Sequence, residues 1–213
     1  YGLKRPIPTL VYKQLGVGYL AAGLESKGHC VHYLDCPALG MEAQDVIEYL
    51  REESPALVGV SIYVHGRFIA YELIRKIRHD LPNITLVAGG PQITLFPEHV
   101  LNECADIPIA LRGEADFSFG ELATCIEENT PLEQVNGIVL RDNDGNLQFG
   151  PPPMVIEELD AIPFPARHIF EHNRYNPMPI TLSLPNMRAD QVITSRGCKW
   201  GKCRFCYQSN ANM

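Results

Sequence analysis

Apolar residues recur along the N-terminal part of the chain at the spacing of amphipathic helices. The clearest pattern covers residues 15–27, where Leu15, Tyr19, Leu20 and Leu24 share one face and Gly28 marks the end. Comparable patterns predict helices over residues 42–53, 67–79, 98–103 and 118–128.

Short apolar runs lie between these helices. Residues 57–63 and 84–88 are almost continuously apolar, as expected for strands buried on both faces, and residues 30–35 and 107–111 predict two shorter strands. Strands that alternate with amphipathic helices indicate βαβ units and a parallel sheet with helices on both faces. The fold class is therefore α/β.

The alternation of strands and helices ends after residue 128. Residues 137–141 and 146–150 flank an Asn-Asp-Gly turn, which predicts a β-hairpin. A proline-rich stretch follows and excludes long helices, and residues 191–194 predict a further strand. We infer an α/β domain over 1–150, a linker over 151–190 that lies on a surface, and the start of a second domain over 191–213.

Composition narrows the functional class. The sequence has 213 residues, 46% hydrophobic and 20% charged, with a net charge of −7, which disfavours a nucleic-acid-binding protein. No apolar run is long enough to span a membrane, and no secretory pattern opens the chain. Seven cysteines cannot all pair, so we expect the reducing cytoplasm.

In an open parallel sheet, ligands bind where the strands end. The candidate residues at these ends include Ser61, Tyr63, the run 89–91, Gly113 and Glu114. A Gly-Gly pair lets a ligand approach the backbone, although it also occurs in simple tight turns. Glu114 either contacts a ligand or caps the next helix, and His65 is either an acid–base or metal-ligating group or a surface residue. No G-x-G-x-x-G motif follows a strand, which argues against a dinucleotide site.

Three cysteines, Cys198, Cys203 and Cys206, fall within nine residues after the predicted strand 191–194. Thiolates are soft ligands for iron–sulfur clusters and for zinc. Three of them can hold a [4Fe–4S] cluster and leave its fourth iron open to a small molecule. Zinc is the alternative, but residues 208–213 offer no Cys or His, and His168 and His172 lie upstream. We expect Cys30, Cys104 and Cys125 to be small core residues.

The string Ser195-Arg196-Gly197-Cys198, followed by Cys203-Arg204-Phe205-Cys206, resembles the cluster loop of radical S-adenosylmethionine (SAM) enzymes, with one extra residue between the first two cysteines. Upstream strings resemble the cobalamin-binding domain that precedes the barrel in many of these enzymes. They are Leu15-Gly16-Val17-Gly18-Tyr19-Leu20-Ala21-Ala22, Gly28-His29-Cys30-Val31, Val87-Ala88-Gly89-Gly90-Pro91, Arg112-Gly113-Glu114 and Leu159-Asp160-Ala161-Ile162-Pro163-Phe164-Pro165.

The resemblance implies a flavodoxin-like (Rossmann-like) sheet of the cobalamin-binding type, with strand order 2-1-3-4-5, followed by a linker and by the first strand and cluster loop of a partial TIM-like barrel. The family's first strand would precede Tyr1, so we expect residues 1–213 by themselves to be poorly stable and inactive. The D-x-H-x-x-G motif, whose histidine binds cobalt, is absent.

The resemblance also assigns roles to the candidate residues. Cys198, Cys203 and Cys206 would bind the cluster, and Phe205 would contact SAM. Cobalamin would contact residues at the strand ends; these are Ser61, Tyr63, Gly89, Gly90, Pro91, Gly113 and Glu114.

The implied activity is reductive cleavage of SAM to a 5′-deoxyadenosyl radical, used for methyl transfer to an unactivated carbon. It implies a small-molecule or peptide substrate and an electron donor such as flavodoxin or ferredoxin. Two alternatives stay open at this point. One is a radical SAM cyclase or rearrangement enzyme whose N-terminal domain does not bind cobalamin. The other is a non-catalytic cobalamin- or small-ligand-binding module with a zinc-stabilised tail.

Overall fold

The structure is a computed structural model that describes residues 13–171, 175 and 190–206. Its α-helices are α1 (Leu15–Glu25), α2 (Cys36–Leu39), α3 (Ala43–Glu53), α4 (Arg67–Asp80), α5 (Pro91–Leu95), α6 (Pro97–Glu103) and α7 (Ser118–Glu128). Its strands are β1 (Leu57–Ser61), β2 (Thr85–Gly89), β3 (Ile109–Leu111), β4 (Ile138–Arg141) and β5 (Leu147–Phe149). Two 3₁₀ turns, Leu159–Ala161 and Arg167–Ile169, follow.

The five strands form one sheet in the order β1-β2-β3-β4-β5. The pairs β1–β2 and β2–β3 are parallel, whereas β3–β4 and β4–β5 are antiparallel. The predicted α/β fold with a parallel sheet is thus confirmed for the first three strands. The predicted hairpin forms as β4 and β5, and it extends the same sheet in the opposite sense.

Helices pack on both faces of the sheet, to which successive side chains of a strand point in turn. β2 has a buried centre, whereas no residue of β1 is fully buried, so the expected burial of β1 on both faces is wrong for this structure. Leu86 and Ala88 of β2 pack into the core cluster that includes residues of α3, α4, α5 and α6. Val87, between them, packs with Leu122 of α7 in a second cluster. α1 packs beside α7, which completes that second layer. The result is a three-layer α/β/α arrangement.

Local chemistry explains several element ends. The Asp45 carboxylate accepts a hydrogen bond of 2.7 Å from the backbone N–H of Glu42 and starts α3 in a capping box. In the hairpin, the Asp142 carboxylate accepts hydrogen bonds from the backbone N–H groups of Asp144 (3.0 Å) and Asn146 (2.8 Å), and these bonds lower the pKa of Asp142. Gly145 has φ +87°, as this turn requires.

Two predicted strands do not form. Residues 30–35 have no regular secondary structure, and neither have residues 191–194. A strand needs a neighbour that takes up its backbone hydrogen bonds, and within the described residues neither segment has one. The predictions of strands at 30–35 and at 191–194 are therefore both wrong for this structure.

The described part of the proline-rich stretch packs against α1. Gly18 lies so close that a Cβ there would be 3.2 Å from side-chain atoms of Phe170 and of Pro165. The backbone N–H of Ala166 donates a hydrogen bond of 2.9 Å to the carbonyl oxygen of Gly18, and Phe170 is only 2% exposed. Small residues on α1 thus let residues 165–170 lie directly on the domain.

None of the helices in the described ranges is both long and apolar enough to cross a bilayer. The cytoplasmic location and the domain limits at 150 and 190 stay predictions.

One edge of β1 has no strand partner in the described part of the chain. The backbone carbonyl of Ala56 accepts a hydrogen bond from the N–H of Thr85, and the N–H of Ile62 donates one to the carbonyl of Gly89. The backbone N–H and C=O groups of the even-numbered residues of this segment therefore face β2. Because backbone groups alternate along a strand, the amides of Leu57, Gly59 and Ser61 face the open edge. The resemblance places a further strand at this edge, and that strand stays a prediction.

Hydrogen exchange measured by NMR tests the open edge. We expect the amides of Leu57, Gly59 and Ser61 to exchange about tenfold or more faster than those of Val58, Val60 and Ile62 in residues 1–213. In a longer protein that supplies the further strand, both sets should be protected. Equal protection of both sets in residues 1–213 alone would contradict the open edge.

Candidate functional site

The carboxyl ends of β1, β2 and β3 open into a cleft of about 2080 Å³. Its walls include the strand ends, one face of α1 and the open edge of β1. All the residues predicted at the strand ends line it; they are Ser61, Tyr63, Gly89, Gly90, Pro91, Gly113 and Glu114. The structure therefore brings together every residue that the sequence proposed as a cobalamin contact.

The two glycines that end β2 have different physical roles. Gly90 has φ +93° and ψ 179°, a conformation that is essentially restricted to glycine, and a Cβ there would lie 2.8 Å from Ser61 Oγ. At Gly89, a Cβ would meet only the carbonyl oxygen of Leu111, at 3.6 Å. Gly90 is thus required by the packing of the chain itself, whereas Gly89 leaves room at the cleft.

The loop after β3 is held firmly at the cleft. Gly113 has φ +78°, and its backbone N–H donates a hydrogen bond of 3.0 Å to Thr94 Oγ1 of α5. A Cβ at Gly113 would lie 2.4 Å from Cβ of Pro153, so the residue must be glycine for the chain after β5 to pack here. Neither Thr94 nor Pro153 could be identified as a partner from the sequence.

Polar side chains at the end of β1 point into the same region. Tyr63 Oη donates a hydrogen bond of 3.1 Å to Gln14 Oε1, which ties this loop to the residue before α1. His65 is exposed and lines the cleft, and its ring centroid lies 5.8 Å from that of Tyr63. The acid–base or ligating role of His65 stays a prediction.

Arg196, two residues before Cys198, binds the loop after β3. Its two terminal nitrogens contact the two carboxylate oxygens of Asp116 at 2.6 and 2.9 Å, and Nη1 lies 3.4 Å from Glu114 Oε2. The guanidinium also lies 5.4 Å from the ring centroid of Tyr19 on α1. The hydrogen bonds to Asp116 raise the pKa of Arg196, so the group is always charged.

This ion pair brings the first part of the cysteine loop to the cleft. Residues 195–199 and Gly201 line the same cleft as the strand ends. A second ion pair holds the start of this segment, since Arg167 lies 2.8 Å and Lys13 lies 2.9 Å from the carboxylate of Asp190. Cys198 therefore shares one cleft with Ser61 and Gly89.

The three predicted cluster ligands differ in their surroundings. Cys198 is exposed, and backbone N–H groups of Gly201 and Trp200 donate to its sulfur, which lowers the pKa of the thiol and favours the thiolate. Cys203 and Cys206 are partly buried in a tight turn, in which the N–H of Cys206 donates to the carbonyl oxygen of Cys203 at 3.0 Å. Phe205 is 93% exposed and lies outside the cleft lining.

Over residues 13–171, 175 and 190–206, no three His, Cys, Asp or Glu side chains converge as a metal site. The three thiols thus do not converge in this structure. Their number, their shared loop and the favoured thiolate of Cys198 nevertheless suit the donor chemistry of an iron–sulfur cluster. The zinc alternative named two upstream histidines. Nε2 of His168 lies 2.8 Å from Glu25 Oε1, and His172 lies outside the described residues.

The other cysteines agree only in part with the expected core role. Cys104 is fully buried in the first core cluster, and Cys125 packs on the second. Cys30 is exposed, with its sulfur 3.5 Å from His32 Nε2, so its predicted core role is wrong. Residues 30–35 do not join the sheet, so Cys30 is not enclosed in its core, although Asp35 in the same segment is buried.

The sequence analysis also missed Asp116 as a site residue. Asp116 is 8% exposed, and its partner Arg196 lies 80 residues further along the chain. The only local signal was an acidic residue two positions after Glu114, just before a predicted helix.

Residues 9–123 match the family described as "B12 binding domain", which covers more than half of the chain. The chain belongs to the B12-binding domain family. The family that the sequence resembled is thereby confirmed for its cobalamin-binding part, and the α/β fold described above agrees with it.

Curated relatives of this B12-binding domain protein are longer enzymes. It is 28% identical over 195 residues to an uncharacterised methyltransferase of Pyrococcus horikoshii, covering 92% of the chain and 40% of that protein. It is 27% identical over 246 residues to cytidylyl-2-hydroxyethylphosphonate methyltransferase of Streptomyces wedmorensis, covering 95% and 45%. It is 27% identical over 197 residues to the anaerobic magnesium-protoporphyrin IX monomethyl ester cyclase of Cereibacter sphaeroides, covering 90% and 31%. The chain thus spans less than half of each relative.

Solved structures agree on the fold. The cobalamin-dependent SAM radical enzyme OxsB, in its apo form, superposes with a TM-score of 0.71 at 20% identity, over 90% of this chain and 25% of that one. The radical SAM methyltransferase TsrM from Kitasatospora setae superposes with a TM-score of 0.58 at 24% identity, over 66% and 28%. At these identities, the superpositions establish the fold alone.

The unequal roles of Gly89 and Gly90 can be tested by urea unfolding. We expect Gly90→Ala to lower the free energy of unfolding by about 2–4 kcal/mol, because it adds a close contact and a strained backbone conformation. Gly89→Ala is the matched control and should change it by less than about 0.5 kcal/mol. Equal losses for the two variants would contradict the assigned role of Gly90.

Proposed function

We propose that this chain is the cobalamin-binding part, and the start of the cluster-binding part, of a cobalamin-dependent radical SAM enzyme that transfers a methyl group to an unactivated carbon. The observation that carries the proposal is the shared cleft, in which Cys198 lies on a wall with the strand-end residues of a B12-binding domain. The methyltransferases among the relatives support the choice of reaction.

The residues present fit both cofactors. Cobalamin would lie in the cleft, where Gly89 leaves room against the backbone and Ser61 presents an exposed hydroxyl. Cys198, Cys203 and Cys206 would bind a [4Fe–4S] cluster, and Phe205 would contact SAM. When bound, the cluster would supply the electron that cleaves SAM, and cobalamin would supply the methyl group.

The chain's own residues then do three things. The glycines and Ser61 shape the cleft so that a large planar ligand reaches the strand ends. The backbone N–H groups of Gly201 and Trp200 lower the pKa of Cys198 and so favour the thiolate, which is the form that binds iron. The ion pair of Arg196 with Asp116 keeps the cysteine loop at the cleft. The substrate would be a small molecule or a peptide, and the electron donor a flavodoxin- or ferredoxin-type protein.

A second candidate function is a radical SAM cyclisation or rearrangement. The anaerobic cyclase of Cereibacter sphaeroides matches 90% of this chain at an identity close to that of the methyltransferases. Assaying the whole protein with labelled SAM separates the two, because a methyltransferase moves the labelled methyl group to product and a cyclase does not.

Hydroxocobalamin titration of the full-length protein tests the cobalamin site. We expect saturable binding, seen as a change in the visible spectrum of the corrin. A correctly folded protein, judged by circular dichroism, that does not bind hydroxocobalamin would contradict the cobalamin assignment and favour an enzyme whose N-terminal domain binds no cobalamin.

Iron analysis tests the cysteine loop. After anaerobic reconstitution with iron and sulfide, we expect about four irons per chain and a broad absorbance near about 400 nm. Cys198→Ala, Cys203→Ala and Cys206→Ala should each remove most of both signals. Cys30→Ala is the matched control, because Cys30 is exposed but lies off the loop, and it should change neither. One bound zinc and no iron in the reconstituted protein would support the non-catalytic alternative.

A further inference from the structure

Arg196 joins the cysteine loop to the loop after β3 through its charge. Arg196 forms a two-pronged ion pair with Asp116, at 2.6 and 2.9 Å, and its side chain is 18% exposed against 8% for Asp116. Two parallel N–H···O bonds to one carboxylate fix direction as well as distance. Removing one partner of such a largely buried pair costs more stability than removing one partner of an ion pair at the surface.

The partner of Arg196 is itself held from several sides. A Cβ at Gly23 of α1 would lie 2.8 Å from the backbone oxygen of Asp116, so the helix and the loop are in direct contact. Three residues earlier in the loop, Gly113 is bound by Thr94 and packed against Pro153. Asp116 is therefore a rigid anchor, and Arg196 is the group that attaches to it.

Charge explains why a cation is needed there. Asp116 and Glu114 place two carboxylates beside one guanidinium, and Asp116 is nearly buried. A buried carboxylate without a partner is strongly disfavoured. The anchor therefore favours the conformation in which residue 196 is at the cleft, and that conformation also places Cys198 on the cleft wall.

We infer that Arg196 is a positioning residue: through Asp116, it holds the Cys198 loop against the edge of the cleft in which the cobalamin-binding strand ends lie. The inference deepens the proposed function and rests on it, since it takes the cysteine loop and the strand ends to line one cleft that binds cobalamin. The same contact couples the docking of the cysteine loop energetically to ligand binding at the strand ends. Because linkage is reciprocal, any ligand that binds better when the loop is docked also strengthens the docking.

Hydrogen exchange by mass spectrometry on the full-length protein tests the contact directly. We expect Arg196→Gln and Asp116→Asn each to speed exchange of the peptide that covers residues 190–206 by about tenfold or more, and the double variant to add little to either. Arg196→Lys keeps the charge but not the two-pronged geometry, so it should restore only part of the protection. Arg204→Gln is the matched control on the same loop and should leave exchange unchanged.

Hydroxocobalamin affinity separates positioning from local stability. We expect Arg196→Gln to weaken binding by about fivefold or more while Arg204→Gln does not, with thermal midpoints showing that both variants fold. Unchanged exchange in Arg196→Gln, or fully additive effects of the two single variants, would overturn the inference. Faster exchange with unchanged hydroxocobalamin affinity would overturn it as well, because Arg196 would then act only on its own loop.

The two measurements also distinguish a failure of this inference from a failure of the proposed function. If the wild-type protein binds no hydroxocobalamin, the cobalamin part of the proposed function fails. The exchange measurements on the four variants and the double variant then decide by themselves whether Arg196 holds the loop.

Discussion

The parallel pairing of β1, β2 and β3 is the constraint on which the rest of the structure depends. Parallel strands place all their carboxyl ends at one edge, and the crossover helices cover both faces of the sheet, so the uncovered strand ends are the natural place for a ligand. Here the ends of these strands meet in one cleft. Gly90 makes the meeting possible, since its backbone fits beside Ser61 only without a side chain.

Ion pairs fix the position of the cysteine segment, which is the second feature on which the site depends. The described part of the cysteine segment contributes neither a helix nor a strand to the fold, so packing alone does little to fix its position. Two ion pairs do so instead, one at Asp190 with Arg167 and Lys13 and one at Arg196 with Asp116. The pair at Arg196 is the more buried of the two, and it joins the loop that bears the thiols to the loop after β3, which lines the cleft.

Membership of the B12-binding domain family and the shape of the cleft agree with each other, and together they motivate the proposed cofactor chemistry. The relatives differ in reaction, since two methyltransferases and a cyclase each match 90% or more of this chain. That diversity is expected when the cofactors supply the reactive groups and the rest of each protein selects the substrate.

The sequence by itself determined the helices α1, α3, α4, α6 and α7, the strands β1 and β2, the hairpin and the identity of the strand-end residues, but not the short helices α2 and α5. These features depend on local periodicity and on turn chemistry, such as the Asn-Asp-Gly turn before β5, which neighbouring residues decide. Tertiary structure decided the rest. Residues 30–35 have the composition of a strand but lack a partner for their backbone groups, and Cys30 is consequently exposed. The pairing of Arg196 with Asp116 joins residues 80 positions apart, and only the folded chain brings them within hydrogen-bonding distance.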